Sequence, residues 1–168
     1  MSTLTNEYIA DKVKQHFGED IIEITAPYDF LTIEVNPAKA NQVLAWFKND
    51  AEIQAAFLTD VCGAQFPEYP GKEYCVIYHI HSFIHNVRIR IKAFLPAAKP
   101  VIATITNLYA SANWQERETF DFYGIVFEGH PNLKRIMNVD EMDYFPLRKE
   151  YPLEDGTRTD KEDKYFGR

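Results

Sequence analysis

The feature that most constrains the fold is the run Val87–Leu95, in which Val87, Ile89, Ile91 and Ala93 alternate with Arg88, Arg90 and Lys92. Successive strand residues point to opposite faces, so this run sets an apolar row against a cationic row. One face packs and the other stays wet, which is the habit of antiparallel sheets. Glu73–His81 alternates in the same way and pairs with it across a short turn. Phe57–Gln65 reads as a third strand, and Phe66–Lys72, with two prolines and a glycine, as the loop that follows it.

The apolar face needs a cover, and two amphipathic helices supply it. In residues 5–17, Ile9, Val13 and Phe17 recur every four positions, and Gly18 ends the pattern. Ile21–Thr25 and Phe30–Val35 then form a hairpin about Ala-Pro-Tyr-Asp. Asn36-Pro37 opens the second helix, with Asn36 as N-cap, Pro37 at the first helical position and an apolar face of Ala40, Val43, Leu44 and Phe47. Residues 1–112 therefore read as an α+β domain: a mostly antiparallel or mixed sheet of four or five strands with two helices on one face.

Pro96 and Pro100 end the sheet. A short helix begins at Asn113, with Glu116 three residues on in the capping-box register, and Gly124 stands where a terminal glycine belongs. Trp114, Phe120, Phe122 and Tyr123 point around its axis, interleaved with Glu116, Arg117, Glu118 and Asp121. Arg117 and Asp121, four residues apart, are placed to pair. A helix apolar on several sides is buried on several sides, so it reads as clamped between its own domain and another chain. Half of the last 28 residues are charged, and no helical or strand period persists beyond the helix. We read 113–137 as a helix and loop at a partner interface, and 138–168 as an extended tail that orders by wrapping the partner.

The net charge of −7 argues against nonspecific nucleic-acid binding. The start lacks a basic region followed by an apolar run, and no apolar stretch approaches the roughly 20 residues of a membrane helix. The two cysteines, Cys62 and Cys75, match no disulfide framework and no iron–sulfur or zinc spacing. Cys75, His79 and His81 share a strand face and are possible zinc or copper ligands, but the wet side of an amphipathic strand explains them as well. His130, in Gly129-His130-Pro131, reads as a ring that pins a loop by bonding a backbone carbonyl. There is no glycine-rich phosphate loop and no nucleophile elbow.

The segment Glu116-Arg117-Glu118-x-Phe120-Asp121-Phe122-Tyr123-Gly124-Ile125-x-Phe127-x-Gly129-His130-Pro131-x-Leu133-x-Arg135-Ile136 closely resembles the signature of the 30 kDa (C) family of NADH–quinone oxidoreductase (respiratory complex I) subunits. Asp143-Tyr144-Phe145-Pro146-Leu147-Arg148-Lys149-Glu150-Tyr151-Pro152 resembles the family's second block, with Tyr144 where the family usually has Trp and Phe145 directly before Pro146. The resemblance implies an α+β domain with a long C-terminal extension. It implies a structural and assembly role in the peripheral arm, on the cytoplasmic side of the inner membrane, with attachment to it only through the complex. Partners would be the large D subunit, beside the quinone pocket, and the B and I subunits. Flavin, iron–sulfur clusters, NADH and quinone would sit on other subunits, leaving this chain without catalytic residues, cofactor ligands or metal ligands. The expected interface is Trp114, Glu116, Arg117, Glu118, Phe120, Asp121, Tyr123, Gly124, Phe127, Gly129, His130, Pro131, Arg135, Leu147, Arg148, Lys149, Tyr151 and Pro152. Ending at Arg168, the chain resembles the family's form that is not fused to the D subunit. Alternatives are the equivalent member of a hydrogenase-type or ferredoxin-driven relative, a small enzyme using His130 with Asp121 or Glu118, and a metal module on Cys75, His79 and His81.

Overall fold

The computed structural model describes residues 4–151; the N-terminal residues 1–3, Pro152 and the rest of the predicted tail lie outside the described residues. Helix α1 (Asn6–Phe17) starts where the Thr5 hydroxyl accepts the Tyr8 N–H, and it closes at Gly18, whose N–H reaches the Lys14 carbonyl. Strands β1 (Ile21–Thr25) and β2 (Thr32–Val35) form the expected antiparallel hairpin. Asn36 caps the next turn by accepting the Ala38 N–H, and a single 3-10 turn at Pro37–Lys39 leads into α2 (Ala40–Asn49). Strands β3 (Phe57–Gln65), β4 (Tyr74–Ser82) and β5 (Val87–Leu95) follow.

The strand order is β1-β2-β5-β4-β3. Within this five-stranded sheet only β2 and β5 run parallel; the other neighbours are antiparallel. The parallel pair is a consequence of α2, which carries the chain from β2 across the sheet to the far edge at β3. The β4–β5 hairpin then fills the gap.

Alternation sorts the two faces. Ile33, Val35, Val76, Tyr78, Ile80, Ile89, Ile91 and Ala93 meet Ile9 and Val13 of α1 and Val43, Leu44 and Phe47 of α2 in one core. Each fully buried Val, Leu, Ile or Phe side chain there stabilises the fold by about 1.5–3 kcal/mol relative to leaving it in water. The opposite face carries Arg88, Arg90, Lys92, His79 and Ile77, which are exposed or half-buried.

Two features depart from what the sequence predicts. Beyond Pro100 the expected short helix, α3 (Ala112–Tyr123), is flanked by two strands the sequence did not predict, β6 (Val101–Ala103) and β7 (Val126–Glu128), which pair in parallel as a second, two-stranded sheet. Three-residue strands are too short to show a period. Their Ile102 and Phe127, with Ile125, join the main core. Three helices, rather than two, cover the sheet, because α3 lies along β3 on the same side as Val61. A Cβ added to Gly63 would come within 2.6 Å of the Tyr123 ring. No helix among the described residues is long and apolar enough to cross a membrane.

Candidate functional site

Helix α3 and the loop behind it hold most of the predicted site residues. The helix begins two residues earlier than the capping-box reading, with Asn113 as N-cap, places it. Ser111 is its N-cap, without a side-chain bond, and Asn113 lies inside the first turn. Glu116 does not reach back to cap the helix. It turns inward, fully buried, and accepts the Ile105 N–H at 2.7 Å and the Thr104 hydroxyl at 2.5 Å. Two donors from the preceding loop outcompete one distant cap. Burial without a cation pushes the Glu116 carboxyl up to about 7, against the pull of those two hydrogen bonds. At the other end Gly124 adopts the left-handed conformation (φ 74°) expected of it, and its N–H bonds the Phe120 carbonyl.

The expected pairing of Arg117 with Asp121 does not form. Arg117 donates to the carbonyls of Lys134 and Arg135, and Asp121 faces the loop itself. Asp121 is fully buried. Its carboxylate accepts the backbone N–H groups of Ile136, Met137 and Asn138, the Asn138 amide, and Arg135 at 2.7 Å. Burial opposes its charge, but this ring of donors wins and holds its pKa well below the usual carboxylate range. Backbone donors beat the i, i+4 neighbour because their positions are already fixed by the chain, whereas a long arginine must be ordered. Arg135 also donates to the carbonyls of Met142 and Tyr144, so one ion pair ties helix, loop and tail together. His130 pins the loop as expected: Nδ1 accepts the Asn132 N–H, which leaves Nε2 protonated to donate to the Asn113 carbonyl at 3.1 Å.

The second block folds back onto the same assembly. Leu147 N–H donates to the Phe122 carbonyl, and Arg148 Nε to that of Tyr123. The Arg148 guanidinium lies over the rings of Phe145 and Tyr74, and the Lys149 N–H meets the Gln65 side chain. Phe145 packs edge-on against Phe120.

The predicted residues thus divide. Glu116, Asp121, Gly124 and Phe127 are buried, and Arg117, Phe120, Tyr123, His130, Arg135 and Arg148 are half-buried. These build the platform. Trp114, Glu118, Gly129, Pro131, Leu147, Lys149 and Tyr151 are exposed on it, and Pro152 lies outside the described residues. Sequence reasoning missed Met137 (68% exposed) and Val139 (63%), apolar side chains held out by the loop that Asp121 fastens. Their signal was an apolar residue on either side of Asn138 in an otherwise charged stretch. With Trp114 (60% exposed) they are large apolar groups left in water by a well-fastened scaffold.

The strand-face histidines are arranged differently from the sequence expectation. Cys75 is fully buried, and burial raises its thiol to about 12. His79 stands between Asp60 and Arg90 on the flanking strands, so the Cys75, His79 and His81 grouping is not the one the sheet brings together.

Comparison with known proteins places these observations. The family described as respiratory-chain NADH dehydrogenase, 30 Kd subunit, matches residues 33–157. The chain is 39% identical over 147 residues to the C subunit of the NADH-quinone oxidoreductase of Methylobacterium sp. (strain 4-46), covering 86% of this chain and 66% of that protein. It is 35% identical to the corresponding C subunit of Mycolicibacterium smegmatis, covering 86% and 63%. The chain therefore spans just under two thirds of the length of these two relatives. Its fold superposes on the trypsin-resistant fragment of Nqo5 with a TM-score of 0.65 at 26% identity, over 76% of this chain and 98% of that one. A chain of the membrane-bound sulfane sulfur reductase, an archaeal respiratory membrane complex, shares the fold at a TM-score of 0.72 and 20% identity, covering 88% of this chain and 85% of that one.

Proposed function

Because the chain belongs to the family of the respiratory-chain NADH dehydrogenase 30 kDa subunit, we propose that it is a structural and assembly subunit of the peripheral arm of a proton-pumping NADH–quinone oxidoreductase. In this reading it packs against the large quinone-site (D) subunit, with the B and I subunits as further neighbours, on the cytoplasmic side of the membrane. It reaches the membrane only through them.

The observation that carries this reading is the α3 platform. Trp114, Met137 and Val139 stand in solvent on a segment fastened by a fully buried Asp121. A surface of that kind suits docking better than chemistry, since exposed aromatic and Met side chains on a rigid base are what interface centres use. The two carboxylates with the largest shifts, Glu116 and Asp121, are both committed to backbone donors of their own chain. This argues against the enzyme reading built on His130 with Asp121.

The deciding experiment is recovery of the tagged chain from gently solubilised native membranes, with the eluate scanned for flavin and iron–sulfur absorbance and for NADH oxidation. A large assembly with both absorbances and the activity is the expected result. The same assembly without flavin would assign the chain to a relative with another electron donor, a reading kept alive by the fold shared with the archaeal complex. The bare chain, recovered while the oxidoreductase is otherwise intact, would overturn the proposal.

A further inference from the structure

The open face of the sheet holds a cluster that the α3 platform does not use. Asp60 and Cys62 of β3 and His79 of β4 are all half-buried, and each offers a ligand atom within 4.8 Å of the other two. His79 Nδ1 is 3.7 Å from Asp60 Oδ2. A strand irregularity makes the grouping. Leu58 pairs with Ile80 but Asp60 pairs with His79, so Thr59 is an extra residue. Without this bulge Leu58 and Asp60, two apart, would share a face. With it Leu58 stays in the core at 3% exposure, while Asp60 turns to the wet side beside Cys62. Bulges that re-aim one side chain in this way are enriched beside functional sites.

We propose that Asp60, Cys62 and His79 bind a divalent transition-metal ion of the zinc type. Carboxylate, thiolate and imidazole are zinc's own ligand set, and three protein ligands leave an open position. Zinc bonds of about 2.0–2.3 Å set tetrahedral ligand atoms roughly 3.3–3.8 Å apart, so rotamer adjustments of about one ångström close the shell. One carboxylate and one thiolate cancel the charge of the ion, which suits a half-buried position. A cleft of about 320 Å³ lined in part by Asp60, Cys62, Glu118 and Leu147 gives access.

Burial and the Arg90 charge lower the His79 pKa, keeping the imidazole neutral, which is the form that ligates. Burial and Asp60 raise the Cys62 thiol to about 11, so a bound metal ion must displace a firmly held proton. A metal ion replaces that proton directly: the S–H bond breaks, the S–metal bond forms, and one proton goes to solvent. Arg90 competes. Its Nε donates to His79 Nε2 at 3.0 Å, which places the ring proton on Nδ1. Ligation through Nδ1 moves that proton to Nε2, so the guanidinium must swing off the ring edge.

The test uses the full-length chain, stripped by chelator and titrated with Co²⁺ and then Zn²⁺. We expect one equivalent of Co²⁺ to raise a near-ultraviolet thiolate charge-transfer band, with release of about one proton, and Zn²⁺ to abolish it. Cys62→Ser should remove the band, His79→Gln should weaken binding at least about tenfold, and Cys75→Ser should change neither. Arg90→Gln should tighten binding. No band in the unmodified chain, a band that survives Cys62→Ser, or an affinity indifferent to Arg90→Gln would each overturn the proposal. The first and last of these do not depend on the ligand variants folding.

Discussion

Asp121 and Glu116 lie five residues apart on one helix, both fully buried, yet their surroundings drive their acidities in opposite directions. Asp121 meets an arginine and three backbone N–H groups, so its charge stabilises the fold. Its folded pKa lies below its unfolded one. The stabilisation is present above the ordinary aspartate range and is lost as pH falls through the depressed value. Asp121→Ala strands Arg135 and the three N–H groups and should cost about 3–5 kcal/mol in urea unfolding. It should also open the 134–138 loop to trypsin at Lys134 and Arg135. Glu116 has the reverse sign. Its folded pKa of about 7 exceeds the unfolded value, so the folded state binds the extra proton. The chain loses stability as pH rises from about 4.5, and the loss levels off above about pH 7. Glu116→Gln keeps an acceptor for the Ile105 N–H and offers a donor to Thr104, whose hydroxyl can turn to Thr106 at 3.0 Å. The variant should gain stability over the parent at pH 8, on the order of 3 kcal/mol, and little at pH 4.5. Neither sign was legible in the sequence, because Arg135, Thr104 and Ile105 are brought to the helix only by the fold.

At the scale of elements, close approach governs. Gly63 lets α3 settle against β3, and Gly124 lets the chain turn beneath Arg148 and Phe145. A Cβ at Gly63 would meet the Tyr123 ring at 2.6 Å, and one at Gly124 would meet Phe145 at 2.6 Å and Arg148 at 2.5 Å. Gly63→Ala and Gly124→Ala should therefore each cost about 1–3 kcal/mol, the second also for its left-handed backbone. Amide exchange should show the loss concentrated in α3 and residues 144–149, leaving the β4–β5 ladder protected. The long elements were legible because they repeat their pattern: β3 and β5 run over the nine residues expected of each. The strands β6 and β7 and the inward turn of Glu116 were not, since three residues hold no period and a capping-box spacing is met by chance whenever a glutamate falls three after an asparagine.

At the scale of the whole molecule the chain has two unlike exteriors, a charged sheet face and the α3 platform with Trp114, Met137 and Val139 exposed on it. The platform's exposed groups should matter to assembly and not to folding. Trp114→Ala and Met137→Asp should leave the thermal midpoint of the isolated chain within about 1–2 °C, since surface changes stay within about ±0.5 kcal/mol. Both should reduce recovery of the oxidoreductase assembly with the tagged chain. Equal recovery would remove the platform from the interface. By itself the sequence determined the α+β class, the alternation that separates a wet face from a packed one, the first two helices with Gly18 ending one and Asn36 opening the turn into the other, and, through its Glu116–Ile136 and Asp143–Pro152 blocks, the family. Those are local patterns, written by neighbours in the chain and by the period of the backbone. Only the tertiary structure decided the parallel β2–β5 pair, the third helix on the same face, which charge Asp121 would hold, and the meeting of Asp60, Cys62 and His79. Each of these joins residues distant in sequence, and their pairing is settled by which contacts can be satisfied together once the core has closed.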